Sequence, residues 1–139
     1  MEVKFYDTQE IPDSWLSYAV IVSRYRDKWV LCKNKNRNSW EIPGGRREVH
    51  EIISDTAKRE LFEETGATSF DLVPICIYAV KSEAESFGML YFADIEAFAP
   101  LPESEIEAID FFHDMDLPEL SFPLIQPKLI ERVKNVLQR

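Results

Sequence analysis

The chain has 139 residues, of which 45% are hydrophobic, 29% charged and 12% aromatic, as is typical of one globular domain covering residues 1–139. No apolar run is long enough to span a membrane, and the net charge of −9 argues against nonspecific nucleic-acid binding. The N-terminus lacks the basic start and apolar stretch of a signal peptide, so we expect a cytoplasmic protein.

The first part of the chain predicts short strands. Runs rich in β-branched and aromatic residues predict strands over Ser17–Tyr25 and Trp29–Cys32, joined by a turn at residues 26–28. WEIPGG, at residues 40–45, predicts a short strand that is stopped by the proline and the two glycines. Cys32 and Cys76 lie in apolar runs and match no metal-binding spacing, so we interpret both as buried free thiols.

A helix is predicted over Ile53–Thr65, with Gly66 at the position after its last turn where glycine commonly ends a helix. Leu72–Val80 and Met89–Ile95 predict two further strands.

The last part of the chain predicts an acidic loop, a short strand and a helix. The strand covers Ile109–Phe112, and the amphipathic helix covers Phe122–Leu137, although two prolines favour a start nearer Gln126. Strands on both sides of a central helix, followed by a last helix, predict an α/β (α+β) fold with a mixed sheet between helices.

Charge is unevenly distributed along the chain. Residues 24–47 contain eight basic and two acidic side chains, a formal charge of +6, which leaves −15 for the remainder. This segment favours contact with a small anionic ligand, although exposed charges that block the pairing of edge strands would give the same pattern. The basic residues are Arg24, Arg26, Lys28, Lys33, Lys35, Arg37, Arg46 and Arg47.

The predicted helix contains the acidic cluster RELFEETG at residues 59–66. At about 100° per residue, Glu64 falls about 40° from Glu60 and between the apolar positions Ile53 and Ala57. Two of the glutamates therefore share the buried face, whereas Arg59 points away from it. Inward carboxylates must be paired or bound to a cation.

Clustered carboxylates are the ligands that a hard divalent ion prefers, so the helix predicts a site for Mg²⁺ or Mn²⁺. The loop before the helix adds to this interpretation, because Gly44 and Gly45 allow the backbone to approach a ligand closely and offer a carbonyl oxygen. Arg46 and Arg47 follow directly and could reach phosphate oxygens, as could Arg24 from the same basic segment.

The same residues form a longer pattern. Gly45, Glu51, Arg59 and the residues up to Ala67 are spaced as G-x5-E-x7-R-E-U-x-E-E-x-G-U, where U is a bulky aliphatic residue. This pattern resembles the Nudix box. The one departure is Ala67, which is smaller than usual at the last aliphatic position and affects packing rather than metal binding.

The Nudix resemblance implies hydrolysis of a nucleoside diphosphate linked to another group, with catalytic roles for Glu63, Glu64 and Arg59. It implies that Glu60, Glu63, Glu64 and the Gly45 carbonyl hold the metal ion. It also implies that Glu51 and Arg59 stabilise the box, where they are expected to pair, and that Gly66 ends it.

A general base is still needed for the attacking water. A box glutamate could serve, and among the carboxylates of the acidic loop we choose Glu105, with Glu103 and Glu107 as rivals. His50 and His113 are isolated histidines for which structural or surface roles are expected. A few aromatic residues could stack on a base, although each more often belongs to a core: Trp15, Tyr18, Trp40, Tyr91 and Phe111.

The Nudix resemblance also implies a substrate class, because some subfamilies carry an extra marker downstream of the box and the compact nucleoside triphosphate class resembles this chain in length. The downstream proline, tyrosine and SQPWPFPxS markers of the ADP-ribose, dinucleoside polyphosphate and NADH classes are absent. The remaining expectation is a monomeric or homodimeric hydrolase of a nucleoside triphosphate, in normal or oxidised form. The alternatives are a nucleotide sugar, a dinucleoside polyphosphate, an RNA 5′ end, or a nucleotide-binding module without turnover.

Overall fold

The computed structural model describes residues 1–139, which form eight strands and two α-helices. Two single-turn 3₁₀ helices, at Asp13–Trp15 and Asp114–Asp116, lie in the connections. The strands are β1 Glu2–Tyr6, β2 Leu16–Tyr25, β3 Lys28–Asn34, β4 Ser39–Glu41, β5 Gly44–Arg46, β6 Ala67–Lys81, β7 Glu85–Phe98 and β8 Ile106–Phe112; the helices are α1 Ile53–Thr65 and α2 Gln126–Leu137.

All strands join one mixed sheet with the order β1-β6-β7-β2-β3-β4. β2 and β7 pair in parallel, whereas the other pairs are antiparallel, and β5 and β8 add to β2 and β3 away from this main order. The predicted mixed sheet is therefore confirmed.

The two helices pack on opposite faces of the sheet. Successive side chains of a strand point to opposite faces, and Ile21 packs in the same cluster as Leu61 of α1, whereas Val22 packs in the same cluster as Leu129 of α2. The predicted α+β sandwich is correct.

Neither helix has the length and apolar character needed to cross a lipid bilayer. Both cysteines are buried and unpaired, as predicted.

Helix α1 has the predicted bounds and ends at Gly66. Gly66 has φ = 80°, and its N–H donates to the Phe62 carbonyl at 2.8 Å. A Cβ at this position would lie 2.6 Å from the carbonyl oxygen of Ala99, so the position needs glycine for both its conformation and its close contact.

Gly66→Ala should lower the free energy of unfolding by about 2–3 kcal/mol, because a left-handed conformation is imposed on a residue with a Cβ that also clashes. Urea unfolding would measure the change, with Lys58→Ala on the exposed side of α1 as the control. A loss below about 0.5 kcal/mol, the size of an ordinary surface effect, would contradict this account.

The sequence missed part of the sheet. β1 was not predicted, and β6 extends from Ala67 to Lys81 through Pro74, beside which the register shifts. The predicted short strand is present as β4 and ends at Glu41, before Pro43. The glycines after Pro43 are not a break in the sheet, however, since Gly44 and Gly45 belong to β5 and pair with Val20 and Ala19.

Candidate active site

The carboxylates of α1 face the short strand β5. Glu64 is 8% exposed, and the side chain of Glu60 is 12% exposed, which confirms that both share the buried face of the helix. The side chain of Glu63 is 47% exposed and lies at the margin of this face.

Glu64 is held by the backbone of β5. Its carboxylate accepts a hydrogen bond from the Gly44 N–H at 2.8 Å. Burial raises the pKa of Glu64 to about 8, and the nearby charges of Glu60, Glu41 and Glu105 add to the rise, while the bond from Gly44 opposes it. Without a cation, the ionised Glu64 carboxylate is therefore unfavourable in this site.

The metal-free protein should lose stability as the pH rises from about 4.5 to about 8. In this window the folded state keeps a proton on Glu64 that the unfolded state has released, so each step up in pH favours unfolding. The total loss from Glu64 should reach at most about 5 kcal/mol. Thermal unfolding across this range in a chelating buffer would measure it, and Glu64→Gln should flatten the profile; equal slopes for both proteins would contradict the prediction.

Glu60 lies against Gly45. A Cβ at Gly45 would lie 2.5 and 2.6 Å from the two oxygens of the Glu60 carboxylate, so only glycine leaves room for this contact. Burial raises the pKa of Glu60, and the hydrogen bond from Arg59 opposes that rise. Gly44 and Gly45 of β5 therefore bring the backbone and the inward carboxylates together.

Arg59 was predicted to point away from the carboxylates, and that prediction is wrong. Its long side chain reaches back so that Nη1 donates to Glu60 at 2.7 Å and lies 3.6 Å from Glu63. Its Nε and Nη2 donate to both oxygens of Glu51, at 2.8 and 2.9 Å. The expected pair of Arg59 and Glu51 is present.

Glu51 is fixed by several donors. Hydrogen bonds from Arg59 and then from the Thr56 hydroxyl lower the pKa of Glu51 to about 2. The Glu48 N–H also donates to Glu51, at 3.0 Å. Glu51 is consequently a permanent anion that orients Arg59 and ties the loop to the helix.

Carboxylates are suitable ligands for a divalent ion, although here they do not form a complete coordination site. No group of three or more His, Cys, Asp or Glu side chains has the arrangement of a metal site. Glu60 accepts a hydrogen bond from Arg59, and Glu64 accepts one from Gly44. Even so, a buried acid with a pKa near 8 and further carboxylates around it favour a bound cation. Glu60, Glu63, Glu64 and the Gly45 carbonyl would be its ligands.

The three predicted phosphate-binding arginines take different positions. Arg46 follows Gly45 at the surface, where its guanidinium stacks on Tyr18 and donates to the Tyr18 hydroxyl at 2.9 Å. Arg47 donates to the backbone carbonyls of Asp13, Leu16 and Glu51 and to the carboxylate of Asp13, so its position gives it a structural function.

Arg24 does not join the site. Its guanidinium lies over the rings of Trp29 and Phe92, at 4.8 and 5.3 Å, both of which pack on the α2 face of the sheet. It is also four residues or more along β2 from the residues that pair with β5. Aromatic partners distant in sequence fix the Arg24 side chain away from the carboxylates, and its contact with substrate stays a prediction.

A cavity of about 400 Å³ lies between the sheet and the start of α2. Gly44 and Gly45 line it, and the same two residues contact Glu64 and Glu60. One short strand thus contacts the carboxylates and also lines a volume large enough for a nucleoside. The other main lining residues are Tyr18, Arg37, Glu41, Tyr78, Phe122 and Gln126.

Sequence reasoning found only part of this lining. Tyr18 was a stacking candidate and lies in the cavity, whereas Tyr91 is buried in the core. Arg37 belongs to the basic segment of the chain. Its Nε and Nη2 donate to the two Glu41 oxygens at 3.1 and 3.2 Å, and only the i,i+4 spacing of the two residues indicates this pair in the sequence. Phe122 and Gln126 were considered only as positions in a helix.

The three glutamates of the acidic loop differ in their influence on the box. The negative charge of Glu105 contributes to the raised pKa of both Glu60 and Glu64. Glu107 instead lies 3.8 Å from Lys33, and Glu103 is exposed. Its charge effect on both box carboxylates thus favours Glu105 among the three loop glutamates.

Known proteins are similar to this chain in sequence and in fold. The family model of the NUDIX domain matches residues 14–133. Bacillus subtilis YtkD, named provisionally as an 8-oxo-dGTP diphosphatase, is 35% identical over 92 residues, which are 66% of this chain and 57% of YtkD. Nucleoside diphosphate-linked moiety X motif 6 of Mus musculus is 57% identical over 60 residues, which are 43% of this chain and 19% of the mouse protein.

A crystal structure of the Bacillus subtilis pyrophosphohydrolase BsRppH, solved as a point mutant, superposes with a TM-score of 0.80 at 28% identity. It covers 96% of this chain and 90% of that one. Nudix hydrolases act as pyrophosphohydrolases and generally use a divalent metal ion. Since the family model covers most of the chain, with the box glutamates on the inner face of α1, this protein belongs to the Nudix family.

Proposed function

We propose that this protein hydrolyses a nucleoside triphosphate, in normal or oxidised form, to the monophosphate and pyrophosphate with the help of Mg²⁺ or Mn²⁺. The observation that carries the proposal is the shared wall formed by Gly44 and Gly45. These two residues contact Glu64 and Glu60, and they also line a cavity of nucleoside size. A nucleotide could therefore place its base in the cavity and its phosphates beside the carboxylates.

Each residue of the site has a distinct task in this proposal. Glu60, Glu63, Glu64 and the Gly45 carbonyl would hold the metal ion, and Arg59 would position Glu60. A bound ion would supply the positive charge that offsets negative charge on the phosphate oxygens. Arg46, exposed beside Gly45, would contact a phosphate oxygen.

The bond changes are those of a simple displacement. A water oxygen forms a bond to the α-phosphorus, and the bond from that phosphorus to the oxygen bridging to the β-phosphate breaks. Pyrophosphate leaves with that oxygen. Glu105, exposed and close to the box glutamates, would accept the proton that the water loses. Arg37 is positively charged and lies close enough to Glu105 and Glu64 for their negative charges to act on it.

A panel of nucleotides tests the proposal when products are identified as well as rates. The panel includes normal and oxidised triphosphates, a nucleotide sugar, a dinucleoside polyphosphate and a 5′-triphosphorylated RNA, each with Mg²⁺ and with Mn²⁺. We expect monophosphate and pyrophosphate from a triphosphate. Faster cleavage of one of the other classes would replace the substrate assignment, and binding without any turnover would identify a nucleotide-binding module.

Glu105→Gln should lower kcat by about 100-fold or more with little change in KM, because it removes the proton acceptor and leaves the metal ligands in place. Steady-state kinetics with the best substrate of the panel would measure this. Glu103→Gln, an exposed change in the same loop, is the matched control and should behave as the unmodified protein. A kcat of Glu105→Gln within twofold of that control would assign the base to a box glutamate.

A further inference from the structure

Two buried polar side chains end neighbouring strands of the sheet. Asn34, the last residue of β3, is 1% exposed, and Glu41, the last residue of β4, is 5% exposed. The Asn34 amide donates to Glu41 Oε1 at 3.2 Å. A buried carboxylate is unfavourable unless hydrogen bonds and an opposite charge compensate it, so Glu41 needs a cation beside it.

Arg37 is that cation. Its Nε donates to Glu41 Oε2 at 3.1 Å, and its Nη2 donates to Glu41 Oε1 at 3.2 Å. Glu41 is its only ion-pair partner in the chain, and the Arg37 side chain is 47% exposed. The buried anion therefore anchors a guanidinium that is still open to solvent.

The turn that carries Arg37 is fixed by the strands around it. Asn34 Oδ1 accepts a hydrogen bond from the Asn36 N–H at 2.8 Å. The Lys35 N–H donates to the Glu105 carbonyl, also at 2.8 Å, which attaches the turn to the acidic loop. The backbone on both sides of Arg37 is consequently held in place before any ligand is bound.

One edge of the Arg37 guanidinium stays free. Glu41 occupies the edge formed by Nε and Nη2, so both N–H groups of Nη1 and one of Nη2 have no partner in the chain. These free groups are the planar pair of donors that arginine uses to bind two oxygens of a phosphate. No other basic residue lines the cavity.

Arg37 is a neighbour of both the cavity and the box carboxylates. Its guanidinium lies 5.1 Å from the centre of the Phe122 ring, which also lines the cavity. Hydrogen bonds to Glu41 raise the pKa of Arg37, burial opposes the rise, and the nearby negative charges of Glu105 and Glu64 add to it. In the proposed complex, the α-phosphate joins the nucleoside in the cavity to the outer phosphates at the carboxylates, so it must pass this side chain.

We propose that Arg37 contacts the nucleotide, with the free edge of its guanidinium on the non-bridging oxygens of the α-phosphate, while Glu41 and Asn34 hold it in place. The inference rests on the proposed nucleotide hydrolysis. Water attacks the α-phosphorus in that reaction, and a fixed cation stabilises the charge on these oxygens without having to reorganise. The α-phosphate stays with the nucleoside after cleavage, so the monophosphate product keeps the contact.

Binding of a monophosphate and of its nucleoside separates this contact from a structural effect. The probes are dGMP and dCMP with deoxyguanosine and deoxycytidine, titrated by calorimetry in the presence of Mg²⁺. In the unmodified protein the better-bound monophosphate should bind at least about tenfold more tightly than its nucleoside, and Arg37→Gln should remove most of that difference while nucleoside affinity changes less than about twofold. A monophosphate that binds no better than its nucleoside, or an advantage that Arg37→Gln leaves unchanged, would overturn the proposal.

Two further variants control for charge and for folding. Lys35→Gln removes an exposed positive charge from the same turn, and it should bind the monophosphate as the unmodified protein does. Arg37→Lys keeps a cation for Glu41 and should stay folded, but an ammonium group cannot bind Glu41 and a phosphate from two edges of one plane. We expect Arg37→Lys to bind the nucleoside normally and the monophosphate more weakly. Equal losses in Lys35→Gln and Arg37→Gln would indicate a general charge effect and overturn the contact.

Turnover allows the two proposals to fail separately. Arg37→Gln should lower kcat/KM by about ten- to hundredfold relative to Lys35→Gln. Metal-dependent hydrolysis that is equally fast in both variants would reject the contact and keep the proposed function. Monophosphate binding that depends on Arg37, in a protein that hydrolyses no nucleotide, would reject the proposed function and keep the contact.

Discussion

Glu64→Gln should lower kcat by about a thousandfold or more while the protein stays folded. The side chain keeps its shape and can still accept the hydrogen bond from Gly44, but it loses the charge that would bind the metal ion. A loss of about 4 kcal/mol in transition-state stabilisation corresponds to this change in rate. Steady-state kinetics with saturating Mg²⁺, together with circular dichroism, would measure both parts of the prediction.

The comparison with Glu63→Gln refines this result. Glu63 is half exposed at the margin of the site, and we expect its replacement to reduce turnover by orders of magnitude too, but with little effect on the metal-free stability. Glu64→Gln should instead stabilise the metal-free protein at pH 8, because it removes a buried charge. A Glu64→Gln protein that retains more than a tenth of the activity would rule out Glu64 as a metal ligand.

Arg59→Met should destabilise the protein by about 2–4 kcal/mol and also impair turnover. The guanidinium is 23% exposed and binds Glu51, Glu60 and the Arg46 carbonyl, so its loss leaves several carboxylate oxygens without a partner. Urea unfolding would give the stability change, and Lys58→Met, next to it on the exposed side of α1, is the matched control.

Arg59→Lys separates charge from geometry. A lysine keeps the positive charge but cannot donate from both ends of a planar fork to Glu51 and Glu60. We therefore expect an intermediate stability and a larger loss in activity than in stability. If Arg59→Lys and Arg59→Met were both as stable as the Lys58→Met control, the pairing of Arg59 would have no importance for the fold.

Local periodicity was sufficient to predict the position of the box carboxylates. The bounds of α1, the cap at Gly66 and the inward direction of Glu60 and Glu64 all follow from the helical repeat and from one glycine. These features depend on residues a few positions apart, and for this reason sequence alone could predict them.

Features that depend on distant partners could not be predicted in the same way. Arg47 is fixed by Asp13 and Leu16, and Arg24 by two aromatic rings, none of which is near the box in sequence. The contact between Arg59 and Glu60 depends on the length of the arginine side chain, which reaches the carboxylate although the Cα of Arg59 faces elsewhere.

The cavity and the first strand show the same limit. Phe122 and Gln126 meet Arg37 only because α2 folds back onto the sheet. β1 was missed because an edge strand of five residues obtains its support from pairing with β6, which the sequence of Glu2–Tyr6 does not reveal.

The buried carboxylates of α1 lower the stability of the metal-free fold, and a bound divalent ion should restore that stability. The direct measurement is thermal unfolding at pH 8 of the unmodified protein and of Glu64→Gln, titrated with Mg²⁺ and with Mn²⁺. We expect Glu64→Gln to be the more stable protein without metal, and we expect metal to raise the unfolding midpoint of the unmodified protein by several degrees but hardly to change that of the variant. Equal shifts in both proteins, or no shift in the unmodified protein, would contradict it.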